Sequence, residues 1–327
     1  MTDSERNLDK LKFFKSISQD NADVVVEAFK NAESAVRMKN IERNFFDESK
    51  LDKETEAEVE ILIREQLKWV LERFGLNIDS RKMKASSVSV YDEEQFRAHR
   101  LFVMGESEET FGDTNGATNL NTKEIVIRKQ ENRTKMINSI SHELIHAISN
   151  LTVRVNVEEN RTEEIKDIHV SSTGYSHKNG TFSVLNEAVT EMMNIEFLHT
   201  MNVKDGSNYL SDSGVGYVIQ VVIFDAIFKK VASLAGINLD QLMTQIYEGY
   251  LTGDFSKLRV IESALGKGSL KKISSLKTED FSPAGKWREL IQDFGIGIQE
   301  IMGPLKAFSD GRQFTILGKV IINKDKN

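Results

Sequence analysis

The sequence predicts an α+β protein that is mainly helical at both ends and mixed in the middle. Apolar residues recur at helical spacing over residues 21–38 and 52–74, which indicates two N-terminal helices. From about residue 80 the pattern changes, because short alternating or apolar runs typical of strands appear. The predicted strands are residues 87–91, 101–104 and 123–129.

The rest of the chain predicts further helices, two hairpins and a division into three segments. Helices are expected at 134–150, 184–199, 215–234, 238–250, 256–265 and 284–303. One hairpin is expected within 164–184, turning at Lys178-Asn179-Gly180, and a second within 312–323. The predicted segments are a helical N-terminal segment (1–80), a mixed central domain (81–268), and a C-terminal helix and hairpin tail (269–327) packed on that domain.

Composition narrows the classes of partner. The formal net charge of −7 opposes a nucleic-acid partner, which needs a clustered basic surface. The apolar run from Tyr217 to Phe228 is too short to span a bilayer, and the polar N-terminus does not resemble a signal peptide, so we expect a soluble, cytoplasmic protein with no membrane partner. The absence of cysteine restricts any metal site to histidine and carboxylate ligands.

The five residues His142-Glu143-Leu144-Ile145-His146 carry the strongest chemical signal. On a helix, His142 and His146 lie one turn apart on one face and can bind a single ion, while Glu143 can reach a water molecule beside it. The alternative is an ordinary helix in which a histidine fills a core position and Glu143 is a solvated charge.

A candidate third ligand follows in VLNEAVTEMMN, residues 184–194, on a predicted helix. Glu187 can complete a site of two histidines and one glutamate, and Glu191, one turn further, can accept the second N–H of a ligating histidine. A solvated pair of carboxylates is the alternative, but the apolar neighbours of Glu187 and Glu191 favour a buried helix.

HELIH followed by LNEAVTE resembles the gluzincins, the thermolysin-like zincin metallopeptidases. The resemblance, over roughly residues 120–200, implies one Zn²⁺ per chain held by His142, His146 and Glu187. It also implies Glu143 as general base and Glu191 as the residue that orients a ligand. An acidic residue of this kind is more usually Asp, and the gap between ligands is longer here; both departures favour an intracellular branch.

Two further expectations concern substrate binding. The zincin resemblance makes KEIVIRK, residues 123–129, the edge strand that binds an extended peptide, although an ordinary sheet strand fits the pattern equally. The hydrogen-bond donor to the substrate carbonyl is expected to be Tyr175, with His177 and Tyr217 as alternatives.

The predicted function is therefore a zinc-dependent peptidase acting on peptide or protein substrates, an endopeptidase more than an aminopeptidase. Two alternatives are a non-catalytic zincin-fold protein that binds or regulates a partner, and a zinc hydrolase of another amide. The presence of Glu143 opposes the non-catalytic alternative, because a protein that only binds needs no base.

Overall fold

The computed structural model of the chain describes residues 51–78, 83–102, 114–118, 124–157, 165–177, 179–205, 210, 217–282 and 285–321. The helix predicted at 21–38 lies outside these ranges. Within them the architecture is α+β, mostly helical with small sheets. No helix in the described ranges has both the length and the apolar character that crossing a membrane requires.

The elements follow the chain as a mixed first half and a helical second half. The helices are α1 (Lys53–Phe74), α2 (Glu93–Phe102), α3 (Arg133–Ile148), α4 (Ser183–Asp205), α5 (Val218–Ala235), α6 (Leu239–Thr252), α7 (Arg259–Leu265), α8 (Ser269–Ser274), α9 (Trp287–Asp293) and α10 (Ile298–Ser309). The strands are β1 (Val88–Tyr91), β2 (Gly116–Thr118), β3 (Ile125–Arg128), β4 (Leu151–Val157), β5 (Ile165–Thr173), β6 (Ser176–His177), β7 (Phe314–Ile316) and β8 (Lys319–Ile321).

The first sheet has the order β1-β3-β2, with β1 parallel and β2 antiparallel to β3. The strand expected at 123–129 is therefore confirmed as β3, but its expected position at the edge is wrong. Ile125, Val126 and Ile127 are all buried, so both faces of this strand are covered. The edge strands are β1 and β2, and β2 lies in a stretch that is rich in turn residues and too short to give a readable pattern.

The strand expected at 101–104 is also wrong over its described residues, because Leu101 and Phe102 end helix α2. The preceding Glu93 and Glu94 favour a helix N-terminus by complementing the helix dipole. Phe96, in the same helix, packs with Tyr91 and Val126. A short apolar run at a helix end cannot be distinguished from a strand by periodicity alone.

The second sheet, with the order β4-β5-β6, is formed by the segment that connects α3 to α4 in the sequence. Its β5–β6 reversal occurs at Gly174-Tyr175 rather than at the expected 178–180 turn, of which Lys178 lies outside the described residues. Gly174 has φ of 48°, a left-handed conformation that glycine adopts without strain. Asn179 and Gly180 instead belong to the turn that leads into α4.

The N-terminal helix and the C-terminal hairpin belong to one core. α1 begins at its cap Asp52 and ends at Gly75 in the left-handed conformation, as the pattern predicted. The buried core extends from Val59 in α1 to Ile316 in β7, so the described parts of the three predicted segments share it.

Of two further predictions for the C-terminal part of the chain, one is wrong and one is confirmed. The single helix expected at 284–303 is two, α9 and α10, separated where Gly295 takes a φ of 64°. The tail hairpin expected within 312–323 is confirmed as β7 and β8.

Candidate metal centre

Helices α3 and α4 bring the three predicted ligands together. His142, His146 and Glu187 each offer one ligand atom, and these atoms all lie within 4.8 Å of one another. Nε2 of His146 lies 3.2 Å from Oε2 of Glu187, and Nε2 of His142 lies 3.5 Å from the same oxygen. Both histidines are buried, whereas Glu187 remains partly accessible.

The local sequence determines which faces of the two helices meet. In α3, Ile137, Ile140 and Leu144 are buried, so the helix is anchored in the core around the motif. In α4, Ala188 and Met192 are fully buried beside the carboxylates. The centre is therefore assembled at a contact between two helices that are buried along most of their length, which gives its side chains little freedom.

Glu191 fixes His142. Its Oε2 lies 2.6 Å from Nδ1 of His142, and its side chain is almost fully buried. Because a carboxylate only accepts, Nδ1 carries a hydrogen, and Nε2, which faces Glu187, is the ring nitrogen that remains to bind a metal. The expected role of Glu191, to orient a ligating histidine, agrees with this geometry.

The charges of the centre suit a cation. Burial by itself would lower the pKa of His142, but its hydrogen bonds to Glu187 and Glu191 raise that pKa well above the ordinary value. Burial would likewise raise the pKa of Glu187, but the charge of His146 and hydrogen bonds to both histidines lower it. Positive charge is therefore strongly favoured at the point where the two Nε2 atoms and the carboxylate meet.

The chemistry of the donor set fits Zn²⁺. Two imidazole nitrogens and one carboxylate form a common catalytic zinc set, and the chain has no cysteine that could add a thiolate. Three protein ligands also leave a coordination position for a water molecule.

Glu143 lies between this centre and strand β2. Oγ1 of Thr118 donates to Oε2 of Glu143 over 2.7 Å, and Glu143 is buried. A methyl group in place of the Gly116 hydrogen would lie 2.8 Å from Cγ of Glu143, so only glycine leaves room for this carboxylate. Strand β2 therefore fixes the position of Glu143 through a hydrogen bond and through close packing.

Tyr217 stacks on the ring of His142. The two rings are stacked with centroids 5.6 Å apart, and the hydroxyl of Tyr217 hydrogen-bonds to Glu187. Tyr217 immediately precedes α5 and has φ of 50°, an unfavourable backbone conformation for a tyrosine. The negative charge of Glu187, together with burial, raises the pKa of Tyr217 well above its ordinary value, so its hydroxyl keeps its proton.

The chain matches no protein-family model, no curated protein and no solved structure. The resemblance to gluzincins stays a prediction, which rests on the motifs HELIH and LNEAVTE.

Tyr175, the expected donor to the substrate carbonyl, does not direct its hydroxyl toward the three candidate ligands. Tyr175 is fully buried, and its hydroxyl donates to the carbonyl oxygen of Ile246 over 2.6 Å. Burial, reinforced by Asp254 and Tyr250, raises its pKa, and the ring packs against Tyr250. Of the two alternatives, His177 stacks on Phe255. Tyr217 is the candidate that contacts the predicted ligands His142 and Glu187.

Sequence reasoning missed four residues that contact the centre: Gly116, Thr118, Thr190 and Tyr250. Gly116 and Thr118 carry no motif of their own. Thr190 lies inside LNEAVTE, one helical turn after Asn186, so its position on the ligand-bearing helix could have been read. Tyr250, 104 residues beyond His146, gives no signal in the sequence.

Proposed function

We propose that the protein is a zinc-dependent peptidase with a zincin-like catalytic domain. The observation that carries the proposal is the convergence of three donor atoms, from His142, His146 and Glu187, within 4.8 Å. The hydrogen bond between Glu191 and Nδ1 of His142 supports it, because it presents the other ring nitrogen as a ligand.

Zn²⁺ held by these residues would supply Lewis-acid polarisation of the scissile carbonyl and lower the pKa of a water molecule beside it to ~7. Glu143 then acts as general base. It accepts a proton from the attacking water and delivers that proton to the nitrogen of the leaving amine, whose bond to the carbonyl carbon breaks. The hydrogen bond from Thr118 orients the Glu143 carboxylate for both transfers.

Tyr217 is proposed as the donor to the substrate carbonyl oxygen, in place of Tyr175. A protonated hydroxyl beside Glu187 can turn toward a carbonyl oxygen that develops negative charge in the transition state. The unfavourable backbone conformation of Tyr217 is consistent with a functional constraint on its position.

The substrate is proposed to be an extended peptide that pairs with strand β2. This strand is at one edge of its sheet and lies directly beside Glu143, so a peptide added there would bring its backbone to the base. Main-chain pairing requires a run of amide groups, which favours a peptide over an isolated amide. A chain bound along a strand edge also favours internal cleavage over removal of one terminal residue.

The test compares zinc-loaded wild type with Glu143→Gln and Glu187→Ala on a quenched-fluorescent peptide library and on unfolded casein. We expect hydrolysis by the wild type, zinc content unchanged but hydrolysis lost in Glu143→Gln, and both lost in Glu187→Ala. Full activity in Glu143→Gln would refute the mechanism. A zinc-loaded wild type that binds but cleaves none of these peptides would favour the non-catalytic function.

A further inference from the structure

His146 is held differently from His142. Its Nδ1 faces two hydroxyl groups: that of Tyr250, from α6, at 3.3 Å and that of Thr190, from α4, at 3.5 Å. These hydroxyls lie 2.7 Å from each other, and both side chains are fully buried. The oxygen of Thr190 is in turn 2.8 Å from the carbonyl oxygen of Asn186.

The hydrogens of this chain can be assigned for the state in which Nε2 of His146 binds a metal. The carbonyl oxygen of Asn186 can only accept, so Thr190 gives it the single hydroxyl hydrogen that it has. Tyr250 can then donate to Thr190, whose own hydrogen is already used. A ligating Nε2 keeps its lone pair for the metal, so Nδ1 carries the hydrogen and directs it toward the lone pairs of the two hydroxyl oxygens.

We infer that Tyr250 and Thr190 form a neutral hydroxyl relay that fixes the tautomer of His146 and aims its Nε2 at the metal position. The inference deepens the proposed function, since it assigns the residues that position the second zinc ligand. Tyr250 and Thr190 act through His146 and are positioning residues.

Three contacts around the β5–β6 turn support the position of Tyr250, one directly and two through Tyr175. Gly174 gives room for its ring, because a methyl group at that position would lie within 2.4 Å of Cε2 of Tyr250. The side chain of Asn186 accepts the backbone N–H of Tyr175 over 2.9 Å, which ties the β5–β6 turn to α4. The hydroxyl of Tyr175 binds the carbonyl of Ile246, one turn before Tyr250 in α6. Tyr175 thus supports the ring that completes the relay.

The two proposed histidine ligands are consequently unequal. His142 donates to a carboxylate, which makes its ligating nitrogen more basic, whereas His146 donates to neutral oxygens. Glu143, Glu187 and Glu191 already place three negative charges around the centre. A neutral partner for His146 orients the ring without adding a fourth charge.

The experiment removes the relay one hydroxyl at a time and measures two properties. The variants are Tyr250→Phe, Thr190→Val and the conservative Thr190→Ser. The control is Tyr247→Phe, which removes another fully buried tyrosine hydroxyl from α6, beside Glu196 rather than His146. The measurements are the affinity for Zn²⁺ by competition with a chromophoric chelator, and the ring-nitrogen chemical shifts of His146 in the metal-free protein.

We expect Tyr250→Phe to weaken zinc binding about tenfold and to shift His146 toward a mixture of tautomers. Thr190→Val should weaken binding as well, and Thr190→Ser, which keeps the hydroxyl, should restore wild-type values. The inference is overturned if Tyr250→Phe matches the Tyr247→Phe control in both measurements. If the wild type binds no zinc but Tyr250→Phe still alters the tautomer, the relay stands and the proposed peptidase function fails.

Discussion

The hydroxyl of Thr118 lies 2.7 Å from Oε2 of Glu143 and 3.0 Å from the main-chain oxygen of the same residue. One hydrogen is thus available for two acceptors on the proposed base. The contact joins the edge strand β2 to helix α3, so the surface proposed to bind the peptide and the group proposed to activate water are held in one geometry.

Replacing Thr118 with Val should reduce catalysis without removing the metal. The substitution keeps the shape of the side chain and removes its hydrogen bond to a carboxylate, and such a bond contributes about 1.5–3 kcal/mol. We expect kcat to fall about tenfold or more, KM to change little, and zinc content to stay at the wild-type level. Thr118→Ser should recover most of the loss. Equal kcat in Thr118→Val and wild type would exclude this role.

Gly116→Ala should disturb Glu143 more severely. The added methyl group would lie 2.8 Å from Cγ and 2.9 Å from Oε1 of Glu143, so the carboxylate or the strand must move. We expect hydrolysis to be lost, with zinc retained and the free energy of unfolding lowered by about 1–3 kcal/mol. The matched control is Gly303→Ala in α10, where a methyl group meets nothing within 4 Å. Normal activity in Gly116→Ala would contradict the close packing described here.

The single variants Tyr217→Phe and Tyr175→Phe distinguish between the two candidate donors to the substrate carbonyl. Loss of one donor to a developing oxyanion lowers kcat by ~10²–10³, which we expect for Tyr217→Phe with little change in KM. Tyr175→Phe should instead lower stability by about 1 kcal/mol, since it removes one buried hydrogen bond, and affect kcat far less. The opposite ranking in steady-state kinetics would restore Tyr175 as the donor.

The candidate ligands were readable from the sequence because side chains on a helix repeat at a fixed spacing. His142 and His146 are one turn apart, as are Glu187 and Glu191, so each pair had to share a face once its segment was helical. The 41 residues between His146 and Glu187 did not obscure the site, because each pair was recognisable by itself.

The groups around the ligands were not readable, because they depend on contacts between distant segments. Strand β2 has three residues and gives no pattern, yet Gly116 and Thr118 contact Glu143, the proposed base. Tyr175 and Tyr217 are both aromatic residues in turns, and the direction of their hydroxyls depends on how α5 and α6 pack. The chosen tyrosine pointed into the core, and the one beside the metal position was an alternative.

The pH dependence of stability tests the environment of Asp225 in helix α5. Burial raises its pKa above the ordinary 3.8 despite hydrogen bonds from Lys229 and the N–H of Leu317. Between pH 3.8 and the higher pKa of Asp225 in the folded protein, the folded state therefore binds more protons than the unfolded chain. The free energy of unfolding falls as the pH rises through this window.

We accordingly expect Asp225→Asn to raise the free energy of unfolding near pH 7 and to match wild type below about pH 4. The amide oxygen can still accept the N–H of Leu317, so the hairpin contact is kept. The amide nitrogen then replaces the acceptor of Lys229, whose half-exposed ammonium can turn into solvent. The measurement is urea denaturation across this range. Asp293→Asn, at a more exposed ion pair with Lys272, should change stability by less than about 0.5 kcal/mol and serves as the control. Lower stability of Asp225→Asn at neutral pH would contradict the sign.

The most direct test of the central claim is the metal content of the purified protein, measured by elemental analysis after dialysis. Wild type is compared with Glu187→Ala, which removes the ligand from α4, and with Glu143→Gln, which leaves all three ligands in place. We predict about one zinc per chain in wild type and in Glu143→Gln, and little in Glu187→Ala. No zinc in the wild type, even after zinc is added back, would mean that HELIH is only a buried helix in this protein.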